Sequence, residues 1–174
     1  MSTVQRINFE PISDILPVHR RDFPLVDPTL ADPLNSVALV DGEWLKIDAA
    51  YKILRASVVT IVGDPALVKS FPLFMERGRY DVQAMAERKT MVLWRGEYEF
   101  DTRIFDAAVA IGAGAAITTI MQPLKVATIT IGTRNFSGLV GHGGAGDSNP
   151  VIGYTTRLPA ANGGKLRFIN GYRV

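Results

Sequence analysis

The chain has 174 residues, no cysteine and a formal net charge of +2. That length suits one domain that buries about 70% of its unfolded surface and needs no covalent staples. The missing thiols exclude a disulfide scaffold and thiolate-held metal, no apolar run approaches the ~18 residues of a spanning helix, and the basic residues are scattered rather than striped.

Residues 1–6 lack the apolar core of a signal peptide, so a soluble product made in a cytoplasm is expected, with no membrane partner. His19-Arg20-Arg21 is the only tight basic group, and direct nucleic-acid binding is not expected.

Half of the ten prolines fall in residues 11–33: Pro11, Pro17, Pro24, Pro28 and Pro33. Proline removes a backbone donor and turns the preceding residue away from helix. Residues 1–33 are therefore expected to form an extended arm largely without secondary structure. The apolar side chains that dot it, Phe9, Ile12, Ile15, Leu16, Phe23 and Leu25 among them, suit pockets on a neighbouring molecule.

From residue 34 to 174 the pattern is β-like. Residues 37–45 are two short apolar runs around Asp41-Gly42, a hairpin signal. Residues 57–62 are rich in β-branched side chains and end at Gly63-Asp64-Pro65. Residues 90–94 are strand-like. Residues 97–101 alternate strictly, which predicts Tyr98 and Phe100 inward and Glu97, Glu99 and Asp101 on a solvent face. Residues 125–131 alternate again, with Ala127, Ile129 and Ile131 on one face. Residues 80–88 and part of 102–117 read as one or two short helices. Gly138 to Gly146 is the densest glycine stretch and reads as a mobile loop. In the closing block, Asn162-Gly163 predicts a tight turn between two strands, with Leu166 and Phe168 on one face and Lys165 and Arg167 on the other. The whole reads as mainly β: a single compact sandwich or barrel, tulip-like in one version, behind an extended N-terminal arm.

Searching for chemistry yields fragments. Gly112-Ala-Gly114 lacks the third glycine of a dinucleotide loop and the acidic residue that would hold a ribose. His142-Gly143-Gly144 and Asp147-Ser148 resemble pieces of a hydrolase, but there is no G-x-S-x-G elbow, and His19 and His142 are the only histidines. Glu97, Glu99 and Asp101 share a face without an evident cation partner. Glu76, Arg77, Arg79 and Asp81 form an ion-pair cluster, within the domain or across an interface. Gly163-Gly164-Lys165 lacks the rest of a phosphate loop. No catalytic, cofactor-binding or metal-binding residue is assigned, and an enzyme is not expected. A carbohydrate-binding adsorption module would need an exposed aromatic platform from Trp44, Trp94, Tyr154 and Tyr172, yet both tryptophans fall in predicted strands.

Four blocks, residues 34–45, 71–82, 98–106 and 151–169, resemble in order the capsid decoration (cement) proteins of tailed phages. The resemblance covers the β-rich region and not the arm. It implies a small β-rich, head-stabilising protein on the exterior of the virion shell, a homotrimer whose partners are the major capsid protein and itself, with no cofactor. Another virion part, such as a tail tube, neck or fibre base, is the alternative.

Overall fold

The computed structural model describes residues 10–13, 20–24, 39–40, 42–47, 53–55, 73–77, 89–93, 97–108, 114–160 and 164–171. The fold is mainly β. Its strands are β1 (Glu10–Pro11), β2 (Arg20–Pro24), β3 (Trp44–Ile47), β4 (Ile53–Arg55), β5 (Leu73–Arg77), β6 (Lys89–Leu93), β7 (Glu99–Thr102), β8 (Pro123–Ile131), β9 (Arg134–Gly141), β10 (Gly153–Arg157) and β11 (Leu166–Asn170). Among the described residues the one helical turn is a 3-10 turn at Gly144–Gly146.

Two antiparallel sheets result. One has six strands in the order β1-β7-β11-β10-β8-β9, the other five in the order β2-β6-β5-β3-β4. Two pieces of the expected arm thus have secondary structure of their own. Glu10–Pro11 pairs with β7, and Arg20–Pro24 pairs with β6 along its length. Both are edge strands, where a proline's missing donor can face away from the ladder.

The larger sheet carries the core on one face. Phe100 of β7 lies opposite Phe168 of β11, their ring centroids 5.7 Å apart, and Leu166, Leu124, Val126 and Leu139 extend the same surface. Trp44 of β3 joins this cluster, 6.2 Å from the Phe168 ring, so the smaller sheet contributes its largest side chain to the core of the larger one. Tyr98, Phe100, Leu166 and Phe168 are buried, as the alternation predicts.

β8 and β9 form the longest hairpin, closed by Gly132-Thr133. Gly132 has φ +62, the left-handed backbone that the first central position of a II′ turn requires. In the half away from this turn, over 124–127 and 136–141, the hairpin is buried on both faces. Leu124, Val126 and Leu139 face the main core, while Ala127, Ile129 and Val140 form a second apolar cluster.

Several expectations change. Gly138 and Gly141 belong to β9 and not to a loop. A side chain at Gly138 would meet the Ile104 carbonyl oxygen at 2.5 Å and Ile129 Cγ1 at 2.8 Å, so glycine marks a close approach there. Asp41 lies outside the described residues; Gly42 is in a turn at φ +89 and the Glu43 N–H donates to the Val40 carbonyl at 3.2 Å, but β3 then pairs with β4 and β5. β10 and β11 pair as foreseen, with a bulge before Arg157; Asn162 and Gly163, the expected turn, lie outside the described residues. The described parts of 102–117 hold no helix; residues 57–62 and 80–88 lie outside the described residues.

Replacing Gly138 with alanine is expected to cost about 1–3 kcal/mol in urea unfolding, because backbone and core atoms must shift. Gly132→Ala has open space around it and is expected to cost only about 1 kcal/mol, for the left-handed backbone alone. Equal losses at the two positions would contradict the close packing at Gly138.

Candidate functional site

The most constructed polar site in the described residues lies where β8 meets the loop after β9. Lys125 sits on the twice-buried part of β8, and its side chain is fully buried. An ammonium there has no water to solvate it, so it requires a counter-charge. Asp147 supplies it, with Nζ–Oδ2 at 2.7 Å and a carboxylate that is equally buried.

The loop is wound to bring Asp147 in. The His142 N–H donates to the Pro123 carbonyl, which ties the loop to the start of β8. Gly144, at φ +80, opens the 3-10 turn, and the Asp147 N–H closes it on the Gly144 carbonyl. The Gly144 N–H donates to His142 Nδ1 at 3.1 Å, so His142 Nε2 carries the proton that it gives the Asn149 carbonyl at 2.8 Å. Asp147 Oδ2 also accepts from the Gly143 N–H at 3.0 Å. Its Oδ1 accepts from the Asn149 N–H at 3.1 Å and from Asn149 Nδ2 at 2.6 Å.

Burial pushes the Asp147 carboxyl up, but the Lys125 ammonium and the Gly143 and Asn149 donors outweigh it and hold it well below the ordinary carboxylate range. The stretch expected to be a mobile loop is pinned at Asp147, while residues 143–146 stand exposed. Lys125 was missed in sequence because it occupies an apolar face of an alternating strand, where a charge normally signals solvent.

A second cluster covers the other face of the larger sheet. Asp101, expected on a solvent face, is buried. Arg167, its cross-strand neighbour, grips it with two bonds, Nε–Oδ1 at 2.8 Å and Nη2–Oδ2 at 3.0 Å. Arg157 Nη2 reaches Oδ2 at 3.0 Å. Arg157 and Arg167 are themselves directly paired, so one carboxylate holds two like charges together. The Arg167 hydrogen bond, partly opposed by burial and aided by the Arg157 and Lys165 charges, lowers the Asp101 carboxyl. Glu99 accepts from the Thr156 hydroxyl beside it, while Glu97 is exposed. The three acids expected together therefore have three different surroundings.

A third buried carboxylate joins the two sheets. Glu43, just before β3, accepts from Arg55 Nε at 3.0 Å and Nη2 at 3.1 Å, from the Val40 N–H, and from the backbone of Ser137 on β9. Burial dominates here and pushes its carboxyl up despite Arg55.

Among the described residues, the two most exposed large apolar side chains share a loop tip. Ile120 and Met121 are 61% and 57% exposed, and Met121 has φ +60, a strained backbone for a side chain of that kind. Gln122 Oε1 accepts from the Thr118 N–H at 2.8 Å, and Gln122 Nε2 donates to the Ala116 carbonyl. Thr155, fully buried on β10, donates its hydroxyl to the Thr119 carbonyl and accepts from the Gln122 N–H. The Met121 N–H donates to the Thr155 carbonyl at 2.7 Å. The tip is thus fixed from several directions.

Of the apolar arm residues, Ile12 is 40% exposed beside β7, and Phe23 lies in β2 opposite Thr90; Phe9, Ile15, Leu16 and Leu25 lie outside the described residues. Glu76 and Arg77 lie in β5 at its bulge, whereas Arg79 and Asp81 are outside the described residues. Trp44 is buried, Tyr154 is half-buried, and Trp94 and Tyr172 are outside the described residues. Among the described residues, no group of three or more His, Asp or Glu side chains is placed to hold a metal ion, and no helix is long and apolar enough to cross a membrane. No protein-family model, no curated protein and no solved structure matches this chain.

Asp147→Ala is expected to cost about 3–5 kcal/mol in denaturant unfolding, since it strands a buried ammonium and frees the loop. Lys125→Met is expected to cost less, because Asp147 keeps its Gly143 and Asn149 donors. The reverse order would show that the loop does not depend on Asp147.

The lowered Asp101 and Asp147 carboxyls contribute stability that is present above their ordinary value of 3.8 and is lost as pH falls through it toward their folded values. Glu43 acts oppositely, its contribution falling as pH rises from 4.5 through its raised folded value. Asp101→Asn is expected to flatten the acid limb of a stability-against-pH curve below about pH 4, where one of the two depressed acids no longer titrates. An unchanged acid limb would contradict the Arg167–Asp101 pairing.

Proposed function

We propose that this chain is a structural virion protein that binds the outer surface of a tailed-phage capsid and clamps neighbouring capsomers. The observation that carries the reading is the ordered recurrence of four decoration-protein-like blocks over residues 34–169. Each includes β-structure among its described residues: the first runs into β3, the second contains β5, the third contains β7, and the last contains β10 and most of β11. In this reading the two sheets form one sandwich-like domain that assembles as a homotrimer on the shell, and the major capsid protein is its partner. Residues 1–33 supply the arm, fastened to the domain at β1 and β2, and the stretches around those strands reach the neighbour.

Physical chemistry supports a surface role. A filled head is strained by its packed DNA, and a clamp adds interface area that must be lost before the shell opens. Each contact can be weak, because three linked subunits bind by avidity, with gains of roughly 10²–10⁴. The Ile120–Met121 tip suits such a contact: it is apolar, exposed and already ordered, so little freedom remains to be lost on docking.

Quantitative mass spectrometry of purified particles tests the reading. A copy number that tracks the major shell protein is expected. A small ring-like number would move the chain to the neck or tail, and absence from the particle would overturn the proposal. Replacing Ile120 and Met121 together with serine is expected to lower capsid affinity about tenfold or more, with the melting temperature of the free protein nearly unchanged.

A further inference from the structure

Lys125 is a primary amine sealed from water, 2.7 Å from one oxygen of Asp147. The other oxygen of the same carboxylate accepts the side-chain amide of Asn149 at 2.6 Å. One carboxylate therefore bridges a nucleophile and a carboxamide. Asn149 Oδ1 is buried and has no hydrogen-bond partner, although an amide oxygen normally accepts at least one. Pro150 follows Asn149. Its nitrogen carries no hydrogen, so the ring closure by which an asparagine consumes its own amide is blocked, and the carboxamide is preserved for another nucleophile.

We propose that Lys125 and Asn149 become joined by a side-chain isopeptide bond that forms in the folded chain, with Asp147 relaying the proton. The Lys125 ammonium gives a proton to Asp147 Oδ2, and the free amine attacks Cγ of Asn149. A nitrogen–carbon bond forms as the carbonyl electron pair moves onto Oδ1. On collapse of that intermediate, Asp147 returns the proton to Nδ2, the Cγ–Nδ2 bond breaks and ammonia departs, and the surplus proton on the attacking nitrogen passes through Asp147 to that ammonia, which leaves as ammonium. Ammonium plus carboxamide becomes substituted amide plus ammonium, so no oxidant, metal or activated co-reactant is needed.

The surroundings favour the step. Holding two reactants in place replaces a bimolecular encounter by an intramolecular one with a high effective concentration. A carboxylate ion-paired to one reacting group and hydrogen-bonded to the other acts as base and then as acid without moving. The Gly143 N–H, the Asn149 N–H and the His142 bridge keep it there. Because the resting pair is ionised, the reaction draws on a minor neutral state and is slow. The product would tie β8 covalently to the loop that follows β9.

Peptide mapping of the purified, folded full chain after prolonged incubation tests this. Trypsin is expected to fail at Lys125 and to release residues 104–134 joined to residues 135–157, lighter than the two together by one ammonia, about 17 Da. N149A retains the ion pair and is expected to give the two segments separately, with cleavage at Lys125 restored; K125R is expected to abolish the joined species as well. Joined segments lighter by one water, about 18 Da, would place the bond on Asp147 and overturn the assignment to Asn149. Loss of ammonia found only in an unlinked peptide at Asn162-Gly163 would be local ring closure there. That result, or separate segments of full mass from the wild-type chain, overturns the proposal.

Discussion

A hairpin buried on both faces has no side on which to leave a polar group, and β8–β9 is such a hairpin in the half away from its turn. Three features of the molecule answer that constraint. Gly138 gives up its side chain so that Ile104 and Ile129 can close over it. Lys125 keeps its charge only because Asp147 is brought to it. The loop after β9 takes its form from that delivery, with a left-handed glycine, a 3-10 turn and a histidine brace converging on one carboxylate. The polar atoms of this loop serve the core beneath it more than the solvent above it.

The same hairpin leaves β9 as a sheet edge, and an open edge is a template for unwanted pairing. Here the edge is covered from within the chain. The Leu139 N–H donates to the Ile104 carbonyl, the Asp106 N–H to the Leu139 carbonyl, and the Ala115 N–H to the Gly141 carbonyl. Further along, Ser137 meets the buried carboxylate of Glu43. Glu43 belongs to the segment that leads into β3, so the cap on the edge is also the tie between the sheets, beside Trp44 in the core. Its raised carboxyl shows the cost of placing a charge there; Arg55 and the backbone donors offset part of it.

Alternation made much of this legible in sequence. Tyr98, Phe100, Leu166 and Phe168 point inward because a strand's side chains alternate and these positions are apolar. The same rule misplaced Asp101 and did not single out Lys125. Alternation predicts which side of a strand a residue occupies, but not whether that side is later covered. Asp101 is covered by arginines from β10 and β11, Lys125 by a loop that follows β9, and neither partner is near in sequence. Glycine density misled for a related reason. Gly138 and Gly141 mark close approach of another backbone, which in a sequence looks the same as a turn. The prolines of the N-terminal segment excluded helix, but Pro11 and Pro24 lie in edge strands, where proline is tolerated.

The Ile120–Met121 tip shows the opposite use of buried polar groups. Thr155 is fully buried on the strand beside Phe168, a costly place for a hydroxyl unless it is bonded, and both of its bonds go to the loop. Gln122 supplies further bonds from the loop's other side. Together they hold Met121 in a left-handed conformation that a flexible loop would relax. Core polarity at Lys125 and Asp147 thus secures the inside of the molecule, whereas core polarity at Thr155 secures something outside it. Two apolar side chains held in water gain nothing for the isolated fold, since their burial would be favourable by roughly 1.5–3 kcal/mol each. A loop that keeps them exposed, and is over-determined in doing so, fits the docking role proposed for it.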